Sequence, residues 1–263
     1  MKICDPHCHM YARTTDDYAK MAEAGICRIL EPAFWLGEPR RHPGSFFDYF
    51  AHLLGFEHDR AAQYGIDQRC AIALNPRESN DDRLRDEVIA GLMEFVEHKN
   101  CAAVGEIGFD DITKKEEEAI RRQLELAFKT DKKVLVHSAH RNKLESVKRT
   151  IAVIKDMNLD ENRILIDHNT EETIGYVKDN SDCWAGHTVY PKTKLSPERA
   201  ANIFEQYGID KMTVNSSCDW GPSDPLSVPK TIIELRRRNF PQDQIEKLVW
   251  TNPCTFYDWD PNT

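Results

Sequence analysis

The segment "KICDPHCH" (residues 2–9) starts as a strand-like run and ends in two histidines two positions apart. Alternate side chains of an extended strand lie on one face, so we expect His7 and His9 to point the same way. Asp5 then lies beneath them and Cys8 turns away. A doubly wound open sheet would instead carry a glycine-rich phosphate-binding turn after its first strand. This segment has no such turn, which argues against an open sheet.

Seven further strand-like runs follow, and helical segments lie between the runs. The eight candidate strands are residues 2–9, 26–34, 68–76, 102–110, 133–139, 163–169, 183–190 and 211–220. Helical periodicity or capping signals mark residues 46–64, 81–99, 117–130, 195–208 and 225–239. No Gly/Ser-rich linker or compositional break interrupts this alternation. The pattern predicts an α/β fold, a (β/α)8 TIM-type barrel that forms a single domain over residues 1–263.

The composition is that of a folded acidic protein. The chain has 263 residues, 40% of them hydrophobic, and its 35 basic and 44 acidic residues give a net charge of −9. That charge argues against non-specific binding to DNA or to anionic membranes. No run of apolar residues is long enough to predict a membrane span or a signal peptide. The eight cysteines form no CxxC pair, so we expect reduced, buried thiols in a cytoplasmic protein.

Metal-binding residue types recur where the predicted strands end, which is where barrel enzymes carry their chemistry. These residues are His7, His9, Glu106, His137, His168 and Asp219. Imidazoles and carboxylates suit divalent Zn, Mn, Fe and, less well, Mg, and a carboxylate can bridge two ions. Glu106 lies between the two histidine pairs in sequence and is the natural bridge. Asp219 is the acid that would bind one ion and accept the proton of the attacking water.

Several motifs together resemble the TatD family of metal-dependent hydrolases, in the amidohydrolase-like superfamily. They are "DPHCH" (5–9), "GEIGFD" (105–110) and "VLVHS" (134–138), with a histidine after the next strand and an aspartate after the last. The late "TNPCTFY" (251–257) also resembles the family's closing segment, so the similarity extends over essentially the whole chain. The resemblance implies a hydrolase with one or two divalent metal ions in a TIM-type barrel.

The resemblance also implies how the ligands divide. Glu106 would join His7, His9 and Asp219 around one ion, and His137 and His168 around the other. Two further acids, Asp110 and Asp5, would orient these ligands from behind.

The substrate-facing residues depart from the family pattern. Ala139 replaces an arginine suited to phosphate, Asn169 and Thr170 replace an aromatic-containing stretch, and "SCDWG" (217–221) replaces an acidic-Thr-Asp-Ala-Pro ending. Loss of a bidentate phosphate contact argues against nucleic acid. We therefore predict that the chain cleaves a phosphoester, ester or amide bond in a small molecule. The alternatives are a metal-dependent deoxyribonuclease, acting as a 3′–5′ exonuclease, and a non-catalytic metal-binding protein.

Other residues are candidates for contact with the substrate. We expect His187 to face the mouth from the seventh strand, and the long loop 36–50 to grip an anion. The predicted substrate contacts are His140, Arg141, His187, Arg40 and Arg41. Trp35 and Trp220 are candidate apolar walls, whereas Cys218 should point away from Asp219 and pack in the core.

Overall fold

Eight parallel strands form a nearly closed barrel in which each strand pairs with the next along the chain. The structure, a computed structural model, describes residues 1–262. The strands are β1 (Ile3–Asp5), β2 (Ile26–Pro32), β3 (Asp67–Ala71), β4 (Cys101–Gly108), β5 (Lys133–His137), β6 (Ile164–Ile166), β7 (Trp184–Thr188) and β8 (Met212–Asn215). The predicted (β/α)8 barrel is confirmed. Every strand is shorter than predicted.

Helices follow the strands and cover the outside of the barrel. They are α1 (Thr15–Glu23), α2 (Gly44–His52), α3 (His58–Ala62), α4 (Asp82–Val96), α5 (Lys114–Lys129), α6 (Lys143–Asp156), α7 (Ile174–Asn180), α8 (Pro197–Tyr207), α9 (Ser227–Arg237), α10 (Gln242–Glu246) and α11 (Asn252–Phe256). The five predicted helical segments are present. One π-helical turn, Leu53–Glu57, joins α2 to α3, and another, Lys247–Thr251, joins α10 to α11. At α8, Ser196 caps the N-terminus and Gly208 ends the helix.

Two apolar clusters hold the barrel together. The larger one lies between the sheet and the helices. The smaller one combines inward-facing strand residues with the C-terminal segment, and its buried members are Cys4, Leu30, Ala71, Ala103, Leu135, Leu165, Cys254, Phe256, Tyr257 and Trp259. The aromatic residues after α11 therefore fill the barrel at the end opposite the mouth. This leaves the carboxyl ends of the strands as the open face.

The seam between the first and last strands is closed by the residues that follow them. Among the described residues, β1 and β8 share no strand ladder. Instead the Ser217 N–H donates to the His7 carbonyl at 2.8 Å, and the His9 N–H donates to the Cys218 carbonyl at 2.7 Å. The first and last βα units thus meet directly beside the candidate ligands.

Within residues 1–262, no helix is both long and apolar enough to cross a membrane.

Candidate metal centre

His7 and His9 converge although both lie just beyond the end of β1. Their Nε2 atoms are 3.1 Å apart. His7 Nδ1 lies 2.5 Å from a carboxylate oxygen of Asp167, and His9 Nδ1 lies 3.2 Å from the Pro32 carbonyl oxygen. Those two oxygens only accept hydrogen bonds, so each Nδ1 carries the proton and each Nε2 presents a lone pair. Two lone pairs that face each other repel, so a cation has to lie between the two Nε2 atoms. It can be a proton or a metal ion. Cys8 is buried and turned away from this pair, as expected.

The pKa values of the two rings differ in direction. Burial opposes protonation of His7, but Glu106 and Asp167 outweigh it and raise the pKa of His7. Burial, followed by the charge of His7, lowers the pKa of His9 to about 3. A proton between the two rings is therefore held more strongly by His7 than by His9, and a metal ion that binds here must displace it.

Glu106, on β4, divides its two oxygens between two pairs of histidines. Its Oε2 lies 3.6 Å from His7 Nε2 and 4.0 Å from His9 Nε2. Its Oε1 lies 3.1 Å from His168 Nε2 and 3.3 Å from His137 Nδ1. Burial alone would raise the pKa of Glu106, but the imidazoles of His7, His137 and His168 outweigh it and the pKa is lowered. The carboxylate is thus ionised and oriented as a bridging ligand would be.

Polar groups behind His168 hold its ring in place. The Thr188 hydroxyl donates to the Asn215 side-chain oxygen at 2.9 Å, because the Asn215 amide nitrogen is directed at Asp167. The Thr188 oxygen lies 2.6 Å from His168 Nδ1 and the Lys194 ammonium lies 3.0 Å from it, so Nδ1 has both an acceptor and a donor beside it. The ring is thereby turned so that Nε2 faces Glu106 Oε1 at 3.1 Å, on the side of the other predicted ligands.

Asp167 links the two sides of the centre and was not identified from the sequence. It is fully buried. Besides His7, it accepts hydrogen bonds from the His168 backbone N–H at 2.6 Å and from the Asn215 amide at 3.0 Å. Burial would raise its pKa, but His168 and His7 outweigh burial and keep Asp167 ionised. A Cβ on Gly186 would collide with this carboxylate, so the glycine makes room for it.

Asp219 lies at the mouth, four positions after the end of β8. It lines a cavity of about 140 Å³ together with His9, Glu106, His137 and His168. The Tyr190 hydroxyl and the Gly221 N–H donate to its Oδ1 at 2.8 and 2.7 Å. The six predicted ligands are therefore brought to one end of the barrel, and one oxygen of Asp219 is held in place.

In the described part of the chain, Asp5 and Asp110, the two acids predicted to orient the ligands, do not hydrogen-bond to the ligand side chains as predicted. Asp5 accepts from the backbone N–H groups of Ser216 and His7, at 3.1 and 3.4 Å, and burial raises its pKa to about 6. It thus holds the backbone rather than the imidazole rings. Asp110 lines the cavity, but within residues 1–262 its carboxylate forms no hydrogen bond to a predicted ligand. The structure gives the orienting position to Asp167 instead.

The predicted substrate contacts are only partly brought to the mouth. His140 lines the cavity, with its ring centroid 5.5 Å from that of His137. Arg141 and Arg41 are exposed and lie outside the lining of the cavity. Arg40 is buried, pairs with Glu78 at 2.5 Å, donates to the Phe34 carbonyl at 3.3 Å and lies outside the lining of the ligand cavity. The expectation that it grips a substrate at this cavity is therefore wrong.

The expectation that His187 faces the mouth is also wrong. Its neighbours in β7, Gly186 and Thr188, take the inward positions, so His187 points outward. Its ring packs 5.3 Å from that of Phe204 on α8, and its Nδ1 donates to the Thr213 carbonyl at 3.3 Å. Burial lowers the pKa of His187 to about 4.

This buried histidine predicts a pH dependence of stability. Because its folded pKa is lowered, the unfolded chain binds the proton first, and stability is lost as the pH falls from about 6.5 towards 4. For the metal-free protein, the loss of unfolding free energy between pH 7 and pH 5 should be about 2 kcal/mol smaller in His187→Asn than in the parent. Urea titrations of both proteins in chelator test this. Equal losses would show that His187 does not titrate on unfolding.

Two lysines at the mouth were missed by the sequence interpretation. Lys194 Nζ lies 3.0 Å from His168 Nδ1 and 3.4 Å from the Ser217 hydroxyl, and burial lowers its pKa. Lys143 donates to the Ser138 hydroxyl at 2.9 Å. Its pKa falls to about 8 through burial and then through the charge of Lys194. Both lie in or just after loops, where no periodic signal marks them. They make the β5–β7 side of the mouth cationic.

Comparison with known proteins decides the family. The family model described as TatD related DNase matches residues 4–258. The chain belongs to the TatD-related DNase family. An uncharacterised metal-dependent hydrolase of Methanocaldococcus jannaschii is 27% identical over 257 residues, which covers 97% of this chain and 99% of that protein. The prediction of a TatD-family metal-dependent hydrolase is confirmed at this level.

Solved structures share the fold of this TatD-family chain. A TatD-like protein from Archaeoglobus fulgidus superposes with a TM-score of 0.81 at 24% identity, covering 97% of this chain and 99% of that one. A phosphotriesterase homology protein from Escherichia coli, complexed with phosphate, has a TM-score of 0.69 at 13% identity, covering 97% and 98%. An organophosphorus hydrolase variant from Deinococcus radiodurans has a TM-score of 0.69 at 14% identity, covering 97% and 92%.

The residues of this TatD-family member fit divalent metal ions. The ligand atoms of His7, Glu106 and His168 all lie within 4.8 Å of one another. The lone pairs of His7 and His9 face each other, and the carboxylate of Glu106 is held ionised between the histidine pairs. This is a set of nitrogen and oxygen donors that suits a divalent transition metal.

Proposed function

We propose that this chain hydrolyses a phosphoester, ester or amide bond of a small anionic molecule at a centre of two divalent metal ions. The observation that carries the proposal is the position of Glu106. One of its oxygens faces His7 and His9, and the other faces His137 and His168. A carboxylate between two pairs of imidazoles supports two adjacent ions rather than one.

The ligands divide between the two ions as follows. Glu106 would join His7, His9 and Asp219 at one ion, and His137 and His168 at the other. The high share of imidazole nitrogen favours Zn, Mn or Fe over Mg. Such ions supply an activated water and Lewis acidity at the scissile bond.

The chain's own residues would orient the reactants and move the proton. Asp167 holds the ring of His7 so that its Nε2 stays available, and Thr188 holds the ring of His168 so that its Nε2 faces Glu106. Tyr190 and Gly221 occupy Oδ1 of Asp219, which leaves its other oxygen to take a proton from the attacking water. Lys194 places a positive charge beside the site where negative charge develops.

The shape and charge of the mouth favour a small substrate over a nucleic acid. The cavity at the ligands is only about 140 Å³. Ala139 occupies the place of the family's phosphate arginine, and the neighbouring Arg141 lies outside the cavity lining. The net charge of −9 also disfavours a polyanion. The local charge of Lys194 and Lys143 suits one anionic group, not a long backbone.

A substrate panel on metal-reconstituted protein tests the proposal. We expect turnover of small phosphoesters, esters or amides that chelator abolishes, and little release of nucleotides from a single-stranded oligonucleotide. Release of nucleotides from the 3′ end, without small-molecule turnover, would support the deoxyribonuclease alternative. Full metal occupancy with no turnover of either class would support a non-catalytic metal-binding protein.

A further inference from the structure

A row of aromatic rings leads from the candidate ligands to the surface. His9 stacks on Phe34, with ring centroids 3.9 Å apart and planes 16° from parallel. Phe34 in turn stacks on Trp220 at 4.9 Å and 28°, and Trp35 meets Trp220 edge-on at 6.3 Å. We call Phe34, Trp35 and Trp220 the aromatic shelf. All three line the same cavity as the ligands.

The outer part of the shelf is exposed to solvent. Trp220 is 50% exposed although it directly follows Asp219, a predicted ligand. Phe34 behind it is buried, so only one face of the shelf is free. A large indole left in water at the rim of a polar cavity offers a flat apolar surface that a ligand can cover.

The opposite side of the cavity is cationic. Lys194 lines it from the loop after β7, and Lys143 lies close behind. His140, from the loop after β5, adds a ring but no charge, because burial lowers its pKa to about 4. The cavity therefore has a flat apolar wall on one side, positive charge on the other, and the ligand cluster between them. A molecule that binds to both walls needs a flat apolar part for the aromatic side and, a short distance away, an anionic part for the cationic side.

The space beyond the shelf continues away from the ligands. Trp35 and Arg77 line the ligand cavity and also a neighbouring hollow of about 620 Å³. The Arg77 guanidinium lies 4.0 Å above the Trp35 ring at the boundary. The aromatic shelf therefore lies between the small cavity at the ligands and the larger neighbouring hollow.

We infer that the substrate carries a planar ring next to its hydrolysable anionic group, and that the ring stacks on the exposed Trp220, with Trp35 at its edge, while the anionic group reaches the ligand cluster. This inference rests on the proposed function and names the substrate class of the same site. Because the larger hollow borders the shelf at Trp35 and Arg77, it has room for a substituent on that ring.

Calorimetric binding of non-hydrolysable phosphonates to the metal-loaded protein tests the inference without turnover. Phenylphosphonate should bind at least tenfold more tightly than methylphosphonate. It should also bind at least threefold more tightly than cyclohexylphosphonate, which is as large and more apolar but not flat. In Trp220→Leu both preferences should disappear, and Trp220→Phe should restore most of them. Metal content of each variant is measured in parallel.

The control is Phe56→Leu, which removes an exposed aromatic ring outside the lining of the cavity and should leave both preferences unchanged. Equal affinities for the three phosphonates, tighter binding of the cyclohexyl compound, or preferences that survive in Trp220→Leu would overturn the inference. A ring preference in a protein that hydrolyses nothing would instead overturn the proposed function and leave the stacking site standing.

Discussion

Glu106→Gln is expected to lower kcat/KM roughly a thousandfold, equivalent to about 4 kcal/mol of transition-state stabilisation, and to reduce bound metal from about two equivalents to one or fewer. Glutamine keeps the shape of the side chain but loses the charge and one of the two acceptor oxygens. In the parent those oxygens face separate pairs of histidines. Elemental analysis of both proteins after reconstitution with manganese or zinc, together with steady-state kinetics, measures the two effects.

A matched control is Glu118→Gln, the same chemical change on the exposed surface of α5. It should retain both metal and turnover. Two equivalents of metal in Glu106→Gln with undiminished turnover would contradict the bridge. If the parent itself binds no metal after reconstitution, the histidines of the first segment are not ligands and the hydrolase proposal fails.

Asp167→Asn is expected to weaken metal binding by about 10–100-fold, the usual cost of losing the acid behind a ligating histidine. Asparagine removes the negative charge that holds the Nδ1 proton of His7. Its amide also meets the Asn215 amide that now donates to the carboxylate. The ring of His7 then loses its fixed tautomer, and the Nε2 lone pair is no longer always available.

Chelator competition monitored by released metal measures this effect, because it reports affinity rather than catalysis. Asp179→Asn on the exposed side of α7 is the control and should match the parent. Unchanged affinity in Asp167→Asn would mean that His7 is held by its backbone contacts alone, through Asp5 and Ser217.

Most of the barrel fold, and the end of the barrel at which the predicted ligands lie, could be predicted from the sequence. Strand order and the gathering of polar residues at one end follow from local patterns repeated along the chain. Both can therefore be predicted without knowledge of long-range contacts. Asp167 was visible in "LIDHN" but carried no distinguishing signal. Its role depends on His7, 160 positions away in the chain, and on the space left by Gly186.

The wrong predictions share a physical cause. His187 was assigned to the mouth, but in a strand a shift of one position reverses the face of every side chain. Arg40 was read as a free cation, and its buried partner Glu78 lies in another βα unit that local sequence does not reveal. Lys194 was missed because its approach to His168 depends on the path of a loop.

The seam of the barrel ties metal exchange to local opening of the fold. The two peptide hydrogen bonds that join the first and last βα units involve His7, His9 and the residues just before Asp219. If that seam separates, His7 and His9 move away from Asp219, while His137 and His168 stay together at the ends of adjoining strands. If two ions are bound as proposed, they should leave at different rates, and the faster rate would report how often the barrel opens at its seam.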